Sequence, residues 1–388
     1  MKPFKTLKIL LCFLISAASN AQTYNPFYDQ TVQNVSASNI LSDLNSFENF
    51  GIKEPGTDAI ENTKNWIVGR YQDLGYSDIE TQPFSVGGHT TSNIIVTKIG
   101  SVYPNTFLII DGHYDTLNGP GTNDNGSGTV LILELARLLK NIDTEYSIKF
   151  IHFSGEEAGL LGSRHYVQNS VIPENLDIKL VLNIDQVGGV AGMDNNTIVC
   201  ERDLNPFPSS NNAASAAATQ EMANCFGLYS NLQTEISYAY GSDYMPFEAN
   251  GEVITGLYEK NESAYPHSPY DTLNKMDPEY VYETSKGALG SALHFAVGKE
   301  NLNIQENIFA ESITVFPNPS NGKITVSLHS LPTNEVEIKI FDILGKLIYT
   351  STLNKKETVL DLEFLESGIY NLEFNDGINS FSKKCIFK

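Results

Sequence analysis

The residues best equipped for chemistry fall in five short segments. His113 and Asp115 lie in "DGHYDT", Asp124 in "TNDNGSG", Glu156 and Glu157 in "SGEEAGLLGS", Asp185 in "NIDQVG" and His267 in "YPHSPYDT". The first two segments share one stretch, Ile109–Gly128, which crowds one His, three Asp, three Asn and five Gly behind an apolar run. Carboxylates and imidazoles resist burial unless something pairs with them. Two imidazoles and three carboxylates can hold two divalent ions, with one carboxylate bridging them. Zinc accepts such N and O ligands and leaves positions open for water. Two ions about 3.5–4 Å apart can clamp an attacking oxygen and the carbonyl it attacks. Adjacent Glu156 and Glu157 need not share a task. In a turn after a strand, consecutive side chains point different ways, so one can ligate while the other acts as a general base.

Taken singly, each segment has an ordinary reading. "HxD" can be a structural pair, "EE" a helix start favoured by the helix dipole, Asp185 a cap and His267 a loop residue. Their joint occurrence at strand ends favours the metal site. His152, inside an apolar strand, reads as a core residue, and His89, His165, His294 and His329 as surface or packing positions. Arg164 in "GSRHY" reads as one half of a structural ion pair.

The elements that must position these groups follow from periodicity. Helical spacing runs from Asn39 to Gly75, with Trp66, Ile67, Tyr71 and Leu74 on one face and Gly75 as a C-terminal cap. "SNIIVTKIG", "TFLIIDGHYD", "YSIKFIHFSGEE" and "IKLVLNIDQVG" read as strands. "GSGTVLILELARLLKN", "EEAGLLGSRHYVQN", "SNNAASAAATQEMANCFG" and "DPEYVYETSKGALGSALHFAVG" read as helices. Alternating strands and helices predict an α/β fold, a mostly parallel sheet covered by helices on both faces. Such sheets bind ligands at the C-terminal ends of their strands, where the polar clusters sit.

The pattern changes near Lys299. A linker is expected over 299–311, followed over 312–388 by short alternating strands separated by Asn-Gly, Leu-Gly, Ser-Gly and Asp-Gly turns. That predicts a small C-terminal all-β sandwich without a ligand cluster. At the other end, "MKPFKTLKILLCFLISAASNAQ" has a lysine-bearing start, a short apolar core and small residues before a cut after Ala21, the form of a secretory signal peptide over 1–21. No other stretch is long and apolar enough for a transmembrane helix. A net charge of −21, most of it within 22–311, argues against nucleic acid as a partner. Cys200, Cys225 and Cys385 remain after the signal, and Cys200 with Cys225 is either a disulfide or two buried thiols.

The series "GHYDT", "NDNGSG", "GEEAGLLGS", "NIDQVG", "GSDYMPF", "PHSPYDT" resembles the M28 family of co-catalytic zinc aminopeptidases over about 90–300. The resemblance implies a catalytic domain over 22–298 holding two zinc ions. His113 and Asp185 would hold one ion, Glu157 and His267 the other, and Asp124 would bridge them. Glu156 would be the general base, and Tyr244 would steady the oxyanion of the tetrahedral intermediate. Asp115 would sit behind His113 and orient its ring. That role suits a strand, which returns to one face every second residue, and a ligating His, which usually has such a partner. The implied reaction is hydrolysis of N-terminal residues from peptides with a free N-terminus by a metal-bound hydroxide. The segments "VFPNPSNGKITVSL", "IFDILGKLIYT" and "SGIYNLEF" resemble the C-terminal sorting domain of the type IX secretion system of Bacteroidetes. That implies a partner in the secretion machinery and a secreted or outer-surface location.

Three rivals are distinguishable. A glutaminyl-peptide cyclotransferase of the same fold would use a single zinc, usually with Trp before the late His and a longer insertion after the Glu pair; here Pro266 precedes His267 and "GEEAGLLGS" is uninterrupted. A carboxypeptidase of the superfamily would carry an inserted helper domain, and none interrupts the catalytic unit. A binding protein with a decayed site would lack ligands or base, and all are present.

Overall fold

The computed structural model describes residues 23–300, 312–328, 336–376 and 380–388. The segment expected to be a signal peptide, most of the expected linker and His329 lie outside the described residues. The chain divides into two compact units between Glu300 and Asn301.

The first unit is built on an eight-stranded sheet. Its strands are β1 (Ile79–Val86), β2 (His89–Lys98), β3 (Tyr103–His113), β4 (Tyr146–Phe153), β5 (Asp177–Ile184), β6 (Thr197–Arg202), β7 (Gln233–Tyr238) and β8 (Ile254–Glu259). Their order is β1-β2-β4-β3-β5-β8-β6-β7. The central four, β4, β3, β5 and β8, are parallel. At one edge β2 runs antiparallel to β4, and β1 antiparallel to β2. At the other edge β6 and β7 are parallel to each other and antiparallel to β8.

Successive strand residues feed two separate cores, as pleating requires. Leu108, Ile110, Ile148, Phe150, Leu180 and Leu182 pack on one face against helices α1 (Pro26–Val32), α2 (Ala37–Asn49), α3 (Asp58–Asp73), α4 (Gly128–Leu139), α6 (Asn212–Tyr229) and α8 (Pro278–Ala296). Ile109, Ile151, Phe153 and Val181 point the other way, to Tyr166 of α5 (Leu161–Tyr166) and Phe247 of α7 (Met245–Ala249). The helix read from Glu156 onward begins only at Leu161, because Gly159 (φ 104°) and Leu160 (φ 61°) take left-handed conformations that interrupt it. The glutamate pair is therefore in a turn. The helical stretch from Asn39 to Gly75 is broken at 50–57, between α2 and α3.

The strand ends are in register where the site needs them. His113 pairs with Phe153 and Asp111 with Asn183, so Glu156 and Asp185 emerge just beyond neighbouring strand ends. In the second unit, β9 (Ile313–Phe316), β10 (Lys323–Leu328) and β13 (Glu357–Asp361) form one antiparallel sheet. The strands β11 (Val336–Phe341), β12 (Leu347–Leu353), β14 (Gly368–Asn375) and β15 (Ser380–Phe387) form another. Ile324, Val326 and Leu360 from the first share one core with Ile338, Ile340, Leu372 and Phe374 from the second, which makes the unit a sandwich.

Candidate metal centre

His113 closes β3 and is fully buried. Its Nδ1 lies 3.1 Å from the carbonyl oxygen of Asp115 and 3.6 Å from that residue's carboxylate. Nε2 is thereby turned towards Asp124 and Asp185, at 3.3 Å from Asp124 Oδ1 and 3.4 Å from Asp185 Oδ1. Across the site, His267 Nε2 lies 3.3 Å from Asp124 Oδ2 and 2.9 Å from Glu157 Oε2. Asp124 thus presents one oxygen to each imidazole. Around a tetrahedral ion with bonds of about 2.0–2.1 Å, ligand atoms stand about 3.3–3.4 Å apart. Three of these four separations have that value, which is long for a charge-assisted hydrogen bond of about 2.7–2.9 Å. His113 Nε2, Asp124 Oδ2, Glu157 Oε1 and Asp185 Oδ1 are buried without a hydrogen-bond partner among the described residues. Orphaned buried groups of both ligand types, arranged as two trios that share Asp124, fit divalent cations.

The electrostatics point the same way. Burial pushes Glu156 up to about 10, with Asp243, Asp185 and Asp115 adding to the rise against the opposing charge of His113. Burial and the neighbouring Asp124 push Glu157 up to about 8. Burial opposes the ionisation of Asp124, yet its contacts with His113 and His267 hold it down at about 2. His267 rises to about 9, chiefly through Asp124. Burial disfavours a charged His113, but Glu156, Asp185, Asp115 and Asp124 outweigh it and raise the group well above its ordinary range. Protons on the imidazoles and glutamates balance the crowd of carboxylates here. Divalent cations would do so more strongly and displace those protons.

The loop carrying Asp124 is held from several sides. Asp271 accepts the Asn123 N–H on one oxygen at 3.0 Å and the Asp124 N–H on the other at 2.9 Å. Glu259, at the end of β8, accepts from Asn123 Nδ2 at 3.0 Å and from the Gly189 N–H at 2.7 Å. Glu48 accepts from the Thr122 hydroxyl and from the Leu273 N–H. The buried Lys53 donates to the Pro120 carbonyl at 2.6 Å. Gly121 has φ 57°, and a Cβ there would collide with the Asp124 carbonyl. The loop then runs into α4, whose N-terminus favours the nearby carboxylate. Asp185 is steadied by the Ser242 hydroxyl, which donates to its Oδ2 at 2.7 Å.

All five ligand candidates, His113, Asp124, Glu157, Asp185 and His267, therefore meet, and Glu156 Oε2 stands 3.9 Å from His113 Nε2. Asp115 meets His113 chiefly through its backbone carbonyl, and its carboxylate has a further contact. Its two carboxylate oxygens accept the N–H groups of Glu156 and Glu157 at 3.2 and 3.3 Å, fixing the glutamate turn. Tyr244 stands differently from the expectation. It is buried, and its hydroxyl donates to Glu201 Oε2 at 2.7 Å while accepting from the Tyr240 N–H at 3.3 Å. Its proton is committed to a carboxylate rather than held for an oxyanion. Arg164 donates to the Gly159 carbonyl at 3.3 Å and is in no ion pair among the described residues. His152 is a core residue beside the Tyr71 hydroxyl at 2.9 Å, and Cys200 and Cys225 are buried free thiols. Sequence reasoning missed Asp271, Glu259, Ser242 and Glu201. Two of them left a signal: Asp271 stands four residues after His267 in "PHSPYDT", and Ser242 two before Tyr244 in "GSDYMPF".

Residues 93–291 match the model of peptidase family M28, and residues 314–388 that of a secretion system C-terminal sorting domain. Aminopeptidase YwaD of Bacillus subtilis is 30% identical over 222 residues, 54% of this chain and 46% of its own. The chain spans from 31% to 46% of the length of the first curated relatives it matches. The Legionella pneumophila LapA aminopeptidase superposes with a TM-score of 0.61 at 22% identity, over 72% of this chain and 78% of that one. A Fimbriiglobus ruber glutaminyl cyclase does so with a TM-score of 0.55 at 17% identity, over 66% and 95%. At these identities the two structures speak for the fold.

Proposed function

Because the chain belongs to peptidase family M28, we propose that it is a secreted aminopeptidase that uses two zinc ions to hydrolyse N-terminal residues from peptides. The observation that carries this reading is the shared carboxylate. Asp124 offers Oδ1 to His113 and Oδ2 to His267, and each imidazole has a second carboxylate of its own, Asp185 and Glu157. When bound, the ions would polarise the scissile carbonyl and acidify a water. His113, Asp185 and Asp124 would hold one ion, and Glu157, His267 and Asp124 the other. Glu156 would take a proton from the attacking water. As the C–N bond breaks, it would return that proton to the leaving amine. Asp115 holds Glu156 in place through its N–H, so base and ligand turn move as one unit.

Residues 22–298 would form the catalytic domain. Residues 312–388 would act as the sorting segment that engages the secretion machinery, after a signal peptide over 1–21 has directed export. The separate core of the second unit supports this division. The likeness to a glutaminyl cyclase keeps one rival in view, since the trio Asp124–Glu157–His267 alone could hold a single ion. The test is to assay the purified protein on a panel of aminoacyl-p-nitroanilides beside an N-terminal glutaminyl peptide. Hydrolysis that a chelator abolishes and zinc restores is expected. Cyclisation of the glutaminyl peptide without hydrolysis would overturn the aminopeptidase reading.

A further inference from the structure

Beside Asp185 the fold encloses a cavity of about 110 Å³, lined by Asp185, Gln186, Glu201, Tyr240, Tyr244 and Tyr258 among others. Asp185 belongs to both this cavity and the metal trio, so a side chain entering the cavity would belong to a residue held at the metals. We propose that this cavity receives the side chain of the substrate's N-terminal residue and selects a long cation, lysine or arginine, with Glu201 as the group that recognises it. The inference rests on the aminopeptidase reading and deepens it.

Glu201 lies near the end of β6, is only 4% exposed, and is held by the Tyr244 hydroxyl at 2.7 Å. The cavity contains no Lys, Arg or His among its lining residues, and no ion pair to Glu201 is formed among the described residues. A buried carboxylate without a cation is costly. An ammonium or guanidinium brought by the substrate would supply the missing charge. The lining residues Tyr240, Tyr244 and Tyr258 supply apolar surface against which a methylene stem can pack. Gly256 of β8 leaves space for the Tyr244–Glu201 pair, since a Cβ there would come within 2.7 Å of the Tyr244 ring and 2.9 Å of the Glu201 carboxylate. Burial raises Glu201 to about 7 against the lowering effect of Tyr244, so the group is ionised in mildly alkaline solution. An apolar side chain would instead cover the carboxylate and leave it unpaired, which such sites discriminate against strongly.

The commitment of Tyr244 now has a use. By donating to Glu201 it fixes the carboxylate that faces the cavity, a positioning role rather than contact with an oxyanion.

The test is kcat/KM at pH 8 for lysyl-, norleucyl- and leucyl-p-nitroanilide, in wild type and Glu201→Gln. Norleucine keeps an unbranched apolar stem and lacks the charge. Wild type is expected to favour lysine over norleucine by about 10–100-fold, the worth of one charge-assisted hydrogen bond. Glu201→Gln should bring that ratio close to one. A ratio cancels losses of folded enzyme, and the wild-type comparison needs no variant. Equal or better rates on norleucine and leucine in wild type would overturn the cationic subsite while leaving the aminopeptidase reading intact. A lysine preference that survives Glu201→Gln would overturn the role of Glu201. No hydrolysis of any of the three by zinc-loaded protein would overturn the aminopeptidase reading, and this inference with it.

Discussion

Replacing Asp271 by Asn should loosen both metals without touching a ligand. Asp271 is 1% exposed, and each of its oxygens accepts one backbone N–H of the loop that carries the bridging Asp124, at 3.0 and 2.9 Å. Asn keeps one acceptor and turns an NH₂ group towards the other N–H. One charge-assisted bond is lost, worth about 1.5–3 kcal/mol. If the whole loss is expressed in the placement of Asp124, metal affinity falls by about 10–150-fold, at 1.4 kcal/mol per decade. That agrees with the 10–100-fold typical of groups that orient metal ligands. The assay is competition with a chromogenic chelator at fixed pH, with thermal melting of the metal-free protein in parallel. A variant that melts lower but binds metal within about twofold of wild type would refute the reasoning, because the loss would then lie in the fold and not at Asp124.

Three further outcomes follow from the same geometry. Glu156→Gln should lower turnover by about 10²–10⁴-fold while metal content stays at the wild-type level; a near wild-type rate would remove Glu156 as the base. Removing residues 312–388 should leave catalysis intact in vitro, since each unit has its own core; loss of activity with the fold preserved would make the second unit part of the enzyme. Burial holds His152 down at about 3, against 6.5 for a free His. Between these values the unfolded chain binds the proton and the folded chain does not, so stability falls as pH drops through that window. Between pH 7 and 5 wild type should lose about 2 kcal/mol relative to His152→Leu, read by denaturant unfolding, and equal losses would refute it.

The candidate site was legible in the sequence because it gathers residue types that strand ends rarely bury. His113, Asp124, Glu157, Asp185 and His267 could be put forward as ligand candidates because their flanking segments resemble those of a known family. Their geometry could not, because the pairings join segments up to 143 residues apart, such as His267 with Asp124. The apolar strands β2 to β5 were legible from their hydrophobic runs. Strands β1, β6, β7 and β8 were not. The edge strand β7, "QTEISY", is mostly exposed, and β6 and β8 are short, six residues each, with polar or Gly residues inside. Losing β6 from view also hid Glu201, and with it what Tyr244 is bonded to. The glutamate turn was read as helix because Gly159 and Leu160 look unremarkable in a helical pattern, while the contacts that hold the turn come from Asp115, more than forty residues away in sequence.

The most direct test of the account is a count and placement of the metals. Zinc content of the purified protein would be measured by mass spectrometry and the ions located by anomalous diffraction. The account predicts two ions per chain about 3.5–4 Å apart, one beside His113 and Asp185, the other beside Glu157 and His267, with Asp124 between them. A single ion at Asp124, Glu157 and His267, with His113 and Asp185 free of metal at saturating zinc, would contradict it.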